Sequence, residues 1–344
     1  MKKQTVTAYV STRGRYFTSL PVCLTSILTQ THQPDKLIIF DDGEHLDLRK
    51  VALYRNLFNT MDKKKIEWEV VFGVGKGQVL NHQKALEMAK TEWIWRLDDD
   101  NVAEPTALEN MLEAGKDPKV GAVGGLVLHP DMLTPMKFML SSKIEDILLG
   151  LNTQWYLQQE KSEVDHLYST FIYRKRAGLH GYCMELSPVG HTEETIFTYQ
   201  MKMAGWKLMV EPTAVTWHWR EGTGGIRTYN DPKLWEHDKA IFMKKLEEWG
   251  VKLTHYKFIV LDNGLGDHLV FKKILNEVKE KWKDMKLAVA CCYPEVFDNR
   301  ETMLLSIADA KAYFGNLDQF SIYKWMWDRK WDKPMVDAFR GMYL

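Results

Sequence analysis

Cysteine is scarce: the 344-residue chain has four, Cys23, Cys183, Cys291 and Cys292. Their spacing gives neither a zinc site nor a disulfide framework, and so few thiols suit a reducing compartment. No run approaches the ~20 apolar residues that a membrane span needs. No secretory leader is read, because Met1-Lys2-Lys3 leads straight into an alternating pattern. The expected setting is therefore cytoplasmic. Net charge is absent too: Lys plus Arg and Asp plus Glu each number 46, so the whole chain shows no sign of a polyanionic partner. The short basic runs Lys63-Lys64-Lys65 and Arg174-Lys175-Arg176 read as solvated surface. Internal repeats and low-complexity tracts are missing as well.

What is present is an ordinary globular composition, 45% hydrophobic and 27% charged, sufficient for one large α/β domain or a domain plus a smaller one. Residues 4–10 alternate like a strand. A helix follows over 18–30, with Ser19 as cap and Pro21 in its first turn. The apolar run 36–40 ends at Asp41-Asp42-Gly43, and 92–97 (EWIWRL) ends at Asp98-Asp99-Asp100. Strands are also expected at 66–72, 119–128 and 207–217, and helices at 78–90, after Pro105, at 193–204 and at 232–249. Residues 131–190 show no readable period. Gly222-Thr223-Gly224-Gly225 reads as a mobile loop. A second unit begins near His255 with a strand at 258–261, a turn at Gly264 and Gly266, a helix at 268–282 and a strand at 286–291. The expected domains are 1–254 and 255–344. Strands alternating with helices imply a doubly wound, mostly parallel sheet, in which ligands bind beyond the carboxyl ends of the strands. Both acidic groups fall at such ends.

The acids suggest a chemistry. A nucleotide-sugar gathers negative charge on its diphosphate when the glycosidic bond breaks. A divalent cation held by carboxylates stabilises that charge. Asp98 and Asp100, two positions apart, can divide the work, one at the ribose or a metal-bound water and the other on the metal. A plain solvated turn or a helix N-terminal acidic cap is the competing reading. Three consecutive acids also allow a second register through Asp99. An inverting transfer needs a base opposite the leaving group, and Glu193-Glu194 is the acidic pair in a suitable later position.

Over residues 4–220 the chain resembles the family-2 glycosyltransferases of the GT-A fold. The strand into Ser11-Thr12-Arg13-Gly14-Arg15, LIIFDDGE at 37–44, the helix, strand and D-x-D of 77–101, and the block 191–219 carry the resemblance. It implies nucleotide contacts from Ser11, Thr12, Arg13, Asp41, Asp42, Asn81, Asp98 and Asp99, with Leu80 where the family has a basic residue. It implies Glu194 as catalytic base, standing where the family has Asp, with Glu193 as runner-up. It implies Asp100, Asp98 and His218 around Mn2+ or Mg2+, and a nucleotide-sugar, most commonly a UDP-sugar, as co-substrate. Arg220 and Arg227, flanking the glycine loop, are candidates for the phosphates. The segment 258–271 resembles the opening of family-9, heptosyltransferase-like GT-B enzymes. No second Rossmann half follows it, so an accessory role in acceptor binding, assembly or stability is expected.

The reading is thus an inverting, metal-dependent glycosyltransferase acting on an acceptor glycan or small molecule. A hydroxymethylated base in DNA is an alternative acceptor, bound through Lys63–Lys65, Arg174–Arg176 and the aromatic segment 155–173. A sugar-1-phosphate nucleotidyltransferase and a non-catalytic binding protein are the competing classes.

Overall fold

A computed structural model describes residues 4–73, 75, 77–131, 141–150, 152–225, 231–298 and 302–344. The chain divides into two compact units. One is Met1–Pro135, Ser142–Ile144 and Leu151–Val251; the other is Met136–Ser141, Glu145–Gly150 and Lys252–Leu344.

The larger unit opens with β1 (Val6–Thr12), α1 (Ser19–Leu28), β2 (Lys36–Asp41), α2 (Ala52–Lys63), β3 (Glu67–Phe72), α3 (Gln78–Met88) and β4 (Trp93–Asp98). It continues through β5 (Asn101–Ala103), α4 (Ala107–Ala114), β6 (Val120–Leu128), β7 (Ser162–Val164), β8 (Phe171–Arg174), α5 (Glu193–Met203), β9 (Lys207–His218) and α6 (Pro232–Glu248). Its sheet runs β3-β2-β1-β4-β8-β6-β9-β5, with β7 also on β9. The first four strands are parallel. Because β1 lies between β2 and β4, its carboxyl end is a switch point of the winding.

Side-chain alternation explains β4. Trp93, Trp95 and Leu97 enter the main core with Val6, Ala8 and Val10 of β1 and Leu20, Leu24 and Ile27 of α1. Ile94, Arg96 and Asp98 fall on the opposite face. Both indoles are completely buried, an apolar gain offset in part because neither indole N–H has a hydrogen-bond partner among the described residues.

Three details differ from the sequence reading. Thr18, not Ser19, holds the N-cap position of α1, and its side chain makes no capping bond. The unread stretch supplies β8, which inserts antiparallel between β4 and β6, while the longest ladders of the sheet stay parallel. Arg174 is no surface cation. It is 5% exposed, ion-paired with Glu92, and donates to the Val120 and Gly115 carbonyls with its guanidinium over Trp93. β8 lies between β4 and β6 and is buried along its whole length, which removes Arg174 from a nucleic-acid surface. Phe171 and Tyr173 are likewise fully buried.

The smaller unit has β10 (Tyr256–Leu261), α7 (Leu265–Lys272), α8 (Leu275–Lys281), β11 (Lys286–Cys291), β12 (Met303–Leu305), α9 (Ile307–Phe314), α10 (Ile322–Asp328) and α11 (Met335–Tyr343). The helix expected over 268–282 is two helices, meeting at Lys273 and Ile274. Its parallel sheet β10-β11-β12 packs Ile259, Val289, Phe271, Ile274 and Phe339 into a core of its own. No helix among the described residues is long and apolar enough to cross a membrane.

The β6–β9 pairing shifts register after Gly125. A Cβ there would lie 1.8 Å from the Ala214 carbonyl oxygen. Gly125→Ala is expected to destabilise the larger unit by about 3 kcal/mol, read as a lower urea midpoint. An unchanged midpoint would contradict this packing.

Candidate active site

Strand register builds the site. Ser11 pairs with Asp98 on one side, and Thr12 pairs with Asp41 on the other. The chain then turns through Asp99 and Asp100 into β5, which runs antiparallel to the end of β9 and sets Asn101 opposite His218. The Trp219 amide donates to the Asp100 carbonyl at 3.0 Å. His218 Nε2 consequently lies 3.3 Å from Asp100 Oδ1. Ligand atoms of Asp98, Asp100 and His218 all fall within 4.8 Å of one another.

The geometry separates the three acids. Asp98 accepts from Ser169 Oγ at 2.6 Å. Asp99 turns the other way, accepting from Thr12 Oγ1 at 2.7 Å and Arg15 Nη1 at 2.6 Å. Burial raises the Asp99 carboxyl to about 6, against the pull of Arg15. Burial also acts to raise Asp100, but the His218 hydrogen bond and charge, Arg15 and the Glu221 amide outweigh it and hold Asp100 low. Burial, then the Arg220 charge, lowers the His129 imidazole to about 4, against the smaller pull of the His218 carbonyl and Asp131. Its Nδ1 is 3.2 Å from the His218 carbonyl, which can only accept, so Nδ1 carries the proton.

Arg15 is the residue the sequence reading passed over. It is 5% exposed, and Nη1 also lies 3.0 Å from Asp100 Oδ2. Its Nη2 and Nε donate to the carbonyls of Glu221 (2.8 Å) and Thr223 (3.1 Å). Gly14, at φ +68°, makes the left-handed turn between Arg13 and Arg15. The loop expected to be mobile is thus fastened over this turn: the Gly225 amide donates to the Arg13 carbonyl at 2.6 Å, and the Glu221 amide to Asp100 Oδ2 at 3.1 Å. Gly224 and Gly225 both have positive φ. A Cβ on Gly224 would come within 2.8 Å of the Arg13 oxygen. Arg13 is half-buried and Arg220 exposed. Arg227 lies outside the described residues.

At the other end of the row, Asp41 is fully buried. Its Oδ1 accepts from Tyr16 (2.7 Å) and the Gly43 amide (2.9 Å), while Oδ2 has no hydrogen-bond partner among the described residues. Asp42 is used locally, accepting from the amides of Gly75 (2.7 Å) and Gly77 (2.8 Å). Asn81 Nδ2 donates to Ser11 Oγ at 2.9 Å.

The acidic pair opens α5 after Thr192, a β-branched residue in the left-handed region at φ +66°. The segment before it is anchored by Asp238 of α6, a fully buried carboxylate. Asp238 accepts from the Ser187 amide (2.6 Å), Ser187 Oγ (2.8 Å) and the His191 amide (2.8 Å). Glu193 is sequestered at 0% exposure and ion-paired with Arg96 at 2.5 Å. Glu194 keeps part of its surface exposed, yet its carboxyl is densely surrounded. Burial, then the Glu193 charge, push it up to about 8.

Comparisons with known proteins agree with this architecture. The chain resembles the solved structure of S. aureus TarS 1-349 in complex with UDP-GlcNAc at a TM-score of 0.52 and 14% identity, covering 99% of this chain and 90% of that one. It resembles GalNAc-T7 with UDP, GalNAc and Mn2+ at a TM-score of 0.50 and 13% identity, covering 64% of this chain. It spans only 44% of the GalNAc-T7 chain. These likenesses show the fold, a GT-A fold with a second small sheet at the C-terminus. No curated protein matches the sequence. The family model described as "Glycosyl transferase family 2" matches residues 7–179, half of the chain; the chain belongs to glycosyl transferase family 2.

Proposed function

We propose that this chain is an inverting, metal-dependent glycosyltransferase that moves a sugar from a nucleotide-sugar to an acceptor hydroxyl. The observation that carries the reading is the convergence of Asp98, Asp100 and His218 within 4.8 Å at the carboxyl ends of parallel strands. Two carboxylates and an imidazole are a donor set that fits Mn2+ or Mg2+. Asp100 and His218 would hold the ion, with Asp98 reaching it or the ribose. When bound, such an ion neutralises charge on the diphosphate leaving group. The UDP and Mn2+ with GalNAc-T7 and the UDP-GlcNAc with TarS support a UDP-sugar as donor.

The remaining roles fall to the chain's own residues. Asp41, with its unpartnered buried Oδ2, offers an acceptor to the nucleoside, alongside Ser11, Thr12, Arg13 and Asn81. Asp42, spent on two backbone amides, shapes that pocket's wall. Asp99 holds Arg15 and Thr12 in place. Arg15 and the loop after Arg220 cover the phosphate side. Glu194 accepts the acceptor's proton, while Glu193 stays paired inside the protein. Residues 1–254 act as the transferase domain. The 255–344 unit, with a single three-stranded sheet among its described residues, serves as an accessory domain.

Nucleoside diphosphate release from a panel of nucleotide-sugars with Mn2+ tests the reading. Asp100→Ala is expected to lose about 100-fold or more of metal-dependent turnover, and Asp99→Asn about 10-fold. Undiminished release by Asp100→Ala would remove the proposal. A base works only when deprotonated, so a carboxyl raised to about 8 makes transfer climb with pH. The wild-type kcat is expected to rise between about pH 6 and about pH 9. Glu194→Gln is expected to lose transfer altogether. A flat wild-type profile, or full transfer by Glu194→Gln, would exclude Glu194 as base.

A further inference from the structure

A buried arginine stands between the two halves of this site. Arg96 shares the β4 face with Asp98, two residues on, and is 2% exposed. Its Nη2 lies 2.5 Å from Glu193 Oε1 and 3.7 Å from Asp98 Oδ1. Glu193 Oε1 is also 3.5 Å from His82 Nε2, and His82 Nδ1 is 3.0 Å from the Tyr9 hydroxyl. The guanidinium lies 5.6 Å from the centroid of the Phe171 ring. Its Nε and Nη1 are buried with no hydrogen-bond partner among the described residues.

This is a costly arrangement for stability alone. A buried ion pair of this kind is commonly matched or exceeded by apolar residues of the same volume, and unpaired buried donors add to the cost. What it achieves is geometric: one fixed cation touches the end of β4 and the first turn of α5. We propose that Arg96 is a positioning residue that holds Asp98 and, through Glu193, the Glu194 carboxyl in one register. The inference rests on the roles given above to Asp98 and Glu194. It assigns to the arginine in WIWRLD a function that the D-x-D pattern does not contain.

The test compares wild type, Arg96→Met/Glu193→Gln and Arg96→Lys in donor release and in sugar transfer. Arg96→Met alone would strand Glu193 as a buried unpaired charge; the double variant removes both charges together. It is expected to fold, with a thermal midpoint within about 5 °C of wild type. Its kcat for transfer is expected to fall about 30-fold, with the donor KM changed less than about threefold. Arg96→Lys keeps the charge without the planar fork and is expected to fall about fivefold in kcat at an unchanged donor KM. Wild-type kcat in either folded variant overturns the inference, as does a loss confined to donor KM. Should the double variant not fold, Arg96→Lys decides alone. Wild-type protein with no donor turnover would instead refute the proposed function.

Discussion

The three-residue strand β5 pairs antiparallel with the last residues of β9, and the site depends on that pairing. It sets a histidine more than a hundred residues away in sequence beside Asp100, at the point where β4 has just delivered Asp98. Without it, two carboxylates at 3% and 5% exposure, Asp100 and Asp99, would face each other in the interior with only Arg15 between them. Burying such charges is expensive unless each is partnered. His218 and Arg15 supply the partners, and Thr12 and the Glu221 amide complete them.

The same electrostatics explain the loop over the site. Arg15 neutralises Asp99 and Asp100 with one guanidinium nitrogen and spends its other two on the carbonyls of Glu221 and Thr223. The glycines at 14, 224 and 225 permit the close backbone approach that this requires. On the far side, Arg96 plays a similar part for Glu193. Two buried arginines thus frame the acidic turn, one facing the covering loop and one facing α5.

Much of this was legible in the sequence because it is written in local pattern. Apolar runs ending in acids gave β2 and β4 and their carboxyl ends, and helix and strand periods gave α5 and β9. Asp98, Asp100 and His218 are grouped by the family-2 resemblance, whose motifs close or follow such elements. What stayed hidden depends on contacts between distant segments. Asp99 and Asp100 are equivalent until Thr12 hydrogen-bonds the first and His218 pairs with the second. Arg15 looks like any loop arginine until Gly14 turns it inward. Arg174 sits in a run of three basic residues, which suggested surface, but β8 inserts between two strands and buries its side chain. A signal left unused was Arg96, a charged residue set among the apolar residues of β4.

Asp98, Asp100 and His218 are proposed as one cation site serving a diphosphate. A crystal soaked with Mn2+ and UDP, measured for anomalous scattering from manganese, tests it most directly. The account requires a single strong peak bounded by Asp100 and His218, on the Asp98 side of Asp99, with the diphosphate completing its coordination. A peak on other residues, or UDP bound with no peak at this cluster, would contradict it.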